Sequence, residues 1–140
     1  MSKSSFIAGL IGATALVGLS ALGVQAQTSG EPVKIGAIVS DVSFISLKLA
    51  LVPALDMAEP GAHCLLLVKP QFEAGREAIS KAGLLKEPET APVVAAELER
   101  WLTEDMGWTS LGLIPSPIAG GDGNEEFLLA AGGTATRAIL

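Results

Sequence analysis

The chain has 140 residues, of which 49% are hydrophobic and 17% charged, and it carries a formal net charge of −6. That length allows one ordinary domain, and the negative balance makes an isolated domain a poor electrostatic partner for phosphate backbones. A single cysteine, Cys64, excludes an internal disulfide or a cysteine metal cluster.

In chain order, Met1 to Ser5 contains one lysine, Phe6 to Val24 is free of charge, and Val24-Gln25-Ala26 offers small residues at the two positions a signal peptidase reads. This three-part pattern predicts a secretory leader cleaved after Ala26, and with it export to a periplasmic or external compartment. Loss of Lys3 with the leader would take the charge to −7. The alternative is a retained hydrophobic helix making membrane contact through residues 6–24. Its 19 uncharged residues are near the lower limit for spanning a bilayer, and Gly9, Gly12 and Gly18 could serve helix packing. The Ala/Gly-rich run is weakly hydrophobic, which favours cleavage.

Val33 to Ser40, VKIGAIVS, is short and β-branched, follows the turn-like Thr28 to Pro32, and is predicted as a strand. Leu47 to Ala58 has helical spacing at Leu47, Leu51, Leu55 and Ala58; Glu59-Pro60-Gly61 stops it, and Pro53 kinks it or marks a late start. Cys64 to Val68, CLLLV, is an apolar run of the kind covered on both faces in a parallel sheet. Lys69 then stands at its carboxyl end, where open α/β sheets place their ligands. Cys64 reads as a small apolar core residue, and His63 as a strand-entry residue. Phe72 to Ser80 is predicted as a short helix and Lys81 to Pro88 as a loop. Thr90 is placed to cap a further helix with Pro92 in its first turn; Val94, Leu98, Trp101 and Leu102 form its apolar stripe, and Gly107 ends it. Trp108 to Ile114 is predicted as a strand, Pro115 to Asn124 as a Gly/Pro loop and Phe127 to Ala131 as a last strand. GGDGN at 120–124 is no phosphate cradle, because no helix start follows it; its glycines suit a hairpin loop. The order of elements predicts an α/β sheet of about four strands ending in a hairpin. Four strands are few for a doubly wound fold.

DVSFISL (Asp41 to Leu47), LVKPQFEAGRE (Leu67 to Glu77), AGLLKEP (Ala82 to Pro88) and SPIAGGDGNEEFLL (Ser116 to Leu129) resemble successive blocks of the hemolysin A (TlyA-type) family of FtsJ-like ribosomal RNA 2′-O-methyltransferases. The resemblance implies a Rossmann-type catalytic fold, S-adenosylmethionine as cofactor, ribosomal RNA as partner, a cytoplasmic setting, and a Lys-Asp-Lys-Glu set around the ribose hydroxyl. On matching positions the aspartate is Asp41, the second lysine Lys69 and the glutamate Glu126, with the neighbouring Glu125 the weaker choice. The chemistry has a physical need for such a set: a ribose hydroxyl is a weak acid, so a base must take its proton as the electrophilic methyl group arrives. A lysine serves only where its surroundings disfavour the ammonium form, and carboxylates can hold and orient it.

The departures matter as much. The family's first catalytic lysine, its glycine-rich donor loop and its basic RNA-binding module belong upstream of the DVSF block, and the sequence there shows none of them. Instead AQTSGEPVKIGAIVS (Ala26 to Ser40) resembles the start of a periplasmic branched-chain amino-acid-binding protein. The expected organisation is therefore a leader or anchor at 1–26, a linker and strand at 27–40, and the carboxyl-terminal half of a methyltransferase domain at 41–140, a partial Rossmann-type sheet. Asp41, Lys69 and Glu126 together carry one surplus negative charge, which is expected to make Lys69 a worse base. The chain alone is accordingly expected not to methylate RNA, and its exposed sheet edge is expected to favour self-association. The alternative function is an exported binding or membrane-associated fragment without catalysis.

Overall fold

The computed structural model describes residues 33–121 and 123–133; the segment read as a leader or anchor lies outside them. Among the described residues four strands form one sheet in the order β1-β2-β4-β3: β1 (Ile35–Ser40), β2 (Ala58–Val68), β3 (Trp108–Pro115) and β4 (Phe127–Gly133). β1 and β2 run parallel, with Ile38 opposite Cys64 and Ser40 opposite Leu66. β4 returns antiparallel between β2 and β3, and the predicted terminal hairpin is the β3–β4 pair.

The period-two alternation of the strands puts Ile38, Ala62, Cys64, Leu66, Val68, Phe127, Leu129 and Ala131 on one face, all buried in a single core cluster. Ala91, Ala95 and Leu98 of helix α4 (Ala91–Arg100) belong to the same cluster, as does Leu102 of the π-helical turn Trp101–Asp105 that continues it. The core stripe is therefore Ala91-Ala95-Leu98-Leu102; Val94 and Trp101, placed on the stripe by sequence, are half-buried at its flank. The opposite face is also apolar but open: Val39 is 80%, Leu65 45% and Ile114 57% exposed. This corrects the expectation that the Cys64–Val68 run is covered on both sides. Its uninterrupted hydrophobicity reflects two apolar faces, of which the described residues bury one.

Other boundaries moved for local reasons. The helix expected over Leu47–Ala58 is two short ones, α1 (Leu47–Ala50) and α2 (Val52–Asp56), divided at Leu51, with Pro53 in the first turn of α2. Glu59-Pro60-Gly61 lies inside β2, whose start at Ala58 pairs with Ile35. A register irregularity between Ile35 and Ala37, and Gly61 at φ 82°, absorb a proline and glycine that read as a stop. The segment expected as one helix over Phe72–Ser80 is a single turn, α3 (Pro70–Glu73), and a 3-10 turn Arg76–Ala78, separated by Gly75 at φ 82°. Thr90 makes no cap: its hydroxyl donates to the Glu87 carbonyl at 2.7 Å. Gly107, at φ 71°, follows the end of the helical segment as expected. No helix among the described residues is long and apolar enough to cross a membrane.

Candidate active site

Asp41 follows the last residue of β1, Lys69 follows the last residue of β2, and Glu126 precedes the first residue of β4. Because these three strands are neighbours and β4 is reversed, two carboxyl ends and one amino end meet at a single edge of the sheet. The Lys69 Nζ stands 2.7 Å from Asp41 Oδ1 and 4.0 Å from Glu126 Oε1, and donates to Ser43 Oγ at 3.0 Å. The Lys69 and Glu126 side chains are only 14% and 11% exposed, Asp41 66%. Glu125 is exposed, so the glutamate facing Lys69 is Glu126, the one the sequence favoured.

Pro70 explains the local placement of Lys69. A proline restricts the residue before it to extended backbone, and Lys69 has φ −114° and ψ 94°, continuing β2 by one residue. Pro70 then opens α3 with the ring-fixed φ that a first helical position accepts. The lysine is thus projected off the strand end without entering a helix.

Glu126 is positioned by the glycine loop before it. The Ser116 amide donates to the Glu126 carbonyl at 2.7 Å, and inside that closure the Gly120 amide donates to the Asn124 carbonyl at 3.1 Å. Gly120 lies so close to the Glu126 carboxylate that a Cβ there would stand 2.8 Å from Oε1. Asn124 is buried, accepts from the Leu85 amide at 3.4 Å and donates to the Gly83 carbonyl at 3.1 Å. Two of the sequence blocks, AGLL and GGDGN, therefore meet through one asparagine side chain.

Between β1 and α1, the loop Asp41–Ser46 bends at Phe44, which adopts φ 63° and is 90% exposed. Its ring packs on Phe72, centroids 5.0 Å apart. Ser46 accepts from the Lys48 amide, capping α1, and donates to Glu73. Ser43, Glu73, Gly120 and Asn124 were not singled out from the sequence. Ser43 is two residues from Asp41 and Glu73 four from Lys69, so proximity to a named residue was the available signal; the partnership of Gly120 with Glu126 has none short of the folded loop.

Comparison with known proteins gives the class. An FtsJ-like methyltransferase family match covers residues 15–133. The chain belongs to the FtsJ-like methyltransferase family. The match begins upstream of Asp41, inside the segment read as a leader. YqxC of Bacillus subtilis (strain 168), named as a candidate rRNA methyltransferase, is 50% identical over 91 residues, 64% of this chain and 31% of its own length. The 16S/23S rRNA (cytidine-2′-O)-methyltransferase TlyA of Mycobacterium tuberculosis is 36% identical over 97 residues, 69% of this chain and 35% of its own. A Lactococcus lactis crystal structure, described as a candidate hemolysin, superposes with a TM-score of 0.64 at 34% identity, covering 75% of this chain and 51% of that one. The chain spans about a third of the length of these curated relatives.

An FtsJ-like methyltransferase implies S-adenosylmethionine as donor. The loop leaving β1, Asp41–Ser46, contains no glycine, and β2 runs through Lys69 directly into Pro70, so neither parallel strand of the described sheet ends in a glycine-rich donor loop.

Proposed function

We propose that residues 41–131 carry the hydroxyl-side catalytic set of a ribosomal RNA 2′-O-methyltransferase, with Lys69 as the group that takes the ribose proton, Asp41 as its holder and Glu126 as the orienter of the incoming hydroxyl. The observation that carries the reading is the unequal spacing around Lys69. Asp41 at 2.7 Å and Ser43 at 3.0 Å occupy two directions of the amine, whereas Glu126 at 4.0 Å is too distant for a direct bond. A hydroxyl oxygen about 2.8 Å from both Nζ and the Glu126 carboxylate bridges that gap with an angle of about 90° at the oxygen, so its single proton can be held by the carboxylate as the hydroxyl arrives and then pass to an uncharged Lys69 amine as the oxygen takes the methyl group. The exposed Phe44 beside the set offers a ring face to an unstacked base.

The names of TlyA and YqxC support ribosomal RNA as the substrate, and with it work in the cytoplasm and not in an exported setting. The donor would be S-adenosylmethionine, which supplies the electrophilic methyl group. The isolated chain is silent on this reading, because its described residues offer no donor loop and the Asp41-Lys69-Glu126 set holds one cation against two carboxylates.

The test is a graft. Residues 41–131 replace the matching stretch of YqxC, and methyl transfer to ribosomal RNA is followed with labelled donor beside the unaltered 140-residue chain. The graft should transfer, and Lys69→Ala in it should lower the rate by about 10²- to 10⁴-fold, the range of a general base. A graft indifferent to Lys69→Ala overturns the assignment; transfer by the unaltered chain that Lys69→Ala abolishes overturns its silence.

A further inference from the structure

We infer that Glu73, which belongs to no catalytic set named above, is a positioning residue that fixes the distance between the Asp41 loop and Lys69; the inference rests on the proposed roles of those two residues. The sheet alone leaves that distance loose. β1 and β2 are held in register only as far as Ser40 and Leu66, after which Asp41–Ser46 leaves the sheet. The ion pair cannot hold the loop by itself, since Asp41 is 66% exposed and surface pairs contribute little. Helices of four residues, α1 and α3, have no stability of their own either.

Glu73 supplies the missing tie. Its Oε2 accepts from Ser46 Oγ at 2.6 Å and its Oε1 from the Leu47 amide at 2.7 Å, two charge-assisted bonds from one partly buried carboxylate. The same single turn begins at Lys69: the Phe72 amide donates to the Lys69 carbonyl and the Ala74 amide to that of Pro70, both at 2.9 Å. Glu73 and Lys69 are therefore two ends of one hydrogen-bonded turn, and the carboxylate clasps that turn to the far end of the Asp41 loop. The Phe44–Phe72 ring contact joins the same two segments a second time, which accounts for a phenylalanine held at φ 63°.

The test reads geometry in the full 140-residue chain by NMR, through the nuclear Overhauser contact between the Lys69 ε-protons and the Ser43 β-protons, with the methyl signals of Leu66, Val68 and Leu129 as a record of the core. Glu73→Ala should abolish the contact and leave the core methyls in place. Glu73→Gln should restore it, because the amide oxygen still accepts from Leu47 and the amide nitrogen can donate to Ser46 Oγ. Glu77→Ala, an equal change of charge at an exposed site in the next turn, should leave it intact. Retention of the contact in Glu73→Ala, its loss in Glu77→Ala, or core methyl shifts accompanying its loss would each overturn the assignment. No turnover enters this measurement, so a failed graft and a failed clasp remain separate results.

Discussion

Replacing Gly120 by alanine separates stability from site geometry. The new Cβ would stand 2.8 Å from Glu126 Oε1 and 3.2 Å from both Glu126 Cδ and the Asn124 carbonyl oxygen. Ordinary carbon–oxygen contact near 3.4 Å asks the carboxylate to retreat by about 0.6 Å. The Asn124 oxygen is fixed by the loop bond to the Gly120 amide, whereas the carboxylate is the far end of a flexible side chain, so the carboxylate yields. Residual crowding costs about 1 kcal/mol, and the unfolded chain loses freedom worth about 0.4–1 kcal/mol in the opposite sense. The two nearly cancel, and the melting temperature should stay within about 5 °C of the parent. Glu126 nevertheless leaves its place 4.0 Å from Lys69. Circular dichroism melting paired with the Lys69 side-chain ¹⁵N shift checks both halves. A fall beyond about 10 °C would show that the carboxylate cannot yield, and an unchanged lysine shift would show that it never moved; either result refutes the reasoning.

Asn124→Ala should be far costlier, about 2–3 kcal/mol by urea unfolding, because it strands the Leu85 amide and Gly83 carbonyl that the buried side chain satisfies. Lys69→Met should destabilise by about 1–2 kcal/mol by leaving Glu126, 11% exposed, without its cation. Asp41→Asn, at a 66% exposed site, should cost under about 1 kcal/mol. Burial pushes the Cys64 thiol up from 9.0 to about 11, against a smaller opposing effect of its backbone hydrogen bond with Ala131. The fold thus favours the protonated thiol: stability is intact below pH 9 and falls as pH rises through 11, by at most about 2–3 kcal/mol. Unfolding curves at pH 8 and pH 11 should show that fall in the parent and a smaller one in Cys64→Ala. Val39→Lys, on the open sheet face, should reduce any self-association seen by light scattering; a parent that is already monodisperse and monomeric would refute self-association through that face.

The elements written in local hydrophobic pattern were the legible ones. VKIGAIVS, CLLLV and helix α4 announce themselves because burial selects residue types at fixed periods, although two of the four positions read as the α4 stripe, Val94 and Trp101, lie at its flank while the small Ala91 and Ala95 fill the core. Lys69 was legible from its place at the end of an apolar strand, but its grouping with Asp41 and Glu126 came only through resemblance, since the three are far apart in sequence and meet because β4 inserts between β2 and β3. Glu59-Pro60-Gly61 was misread because its turn chemistry, with Gly61 at φ 82°, is accommodated as an irregularity between the Ile35–Ala58 and Ala37–His63 pairs and does not end the strand, and Thr90 because its hydroxyl found the Glu87 carbonyl in preference to the helix end. The Glu73 clasp was hidden for a different reason: a glutamate in a short polar turn has many uses, and only the fold shows two donors converging on it.

The topology also sets which member of the set is most open to control. Lys69 and Glu126 extend from β2 and β4, each flanked by a strand on both sides, and their side chains are 14% and 11% exposed. Asp41 extends from β1, which among the described residues pairs on one side only, and it is 66% exposed. Anything laid along the β1 edge or over Val39 reaches Asp41 before the other two. Burying that carboxylate would lower the dielectric around a 2.7 Å pair and strengthen its hold on the ammonium. A covered edge therefore tightens the Asp41–Lys69 pair without touching Glu126, so the strength of that pair is set at the edge strand.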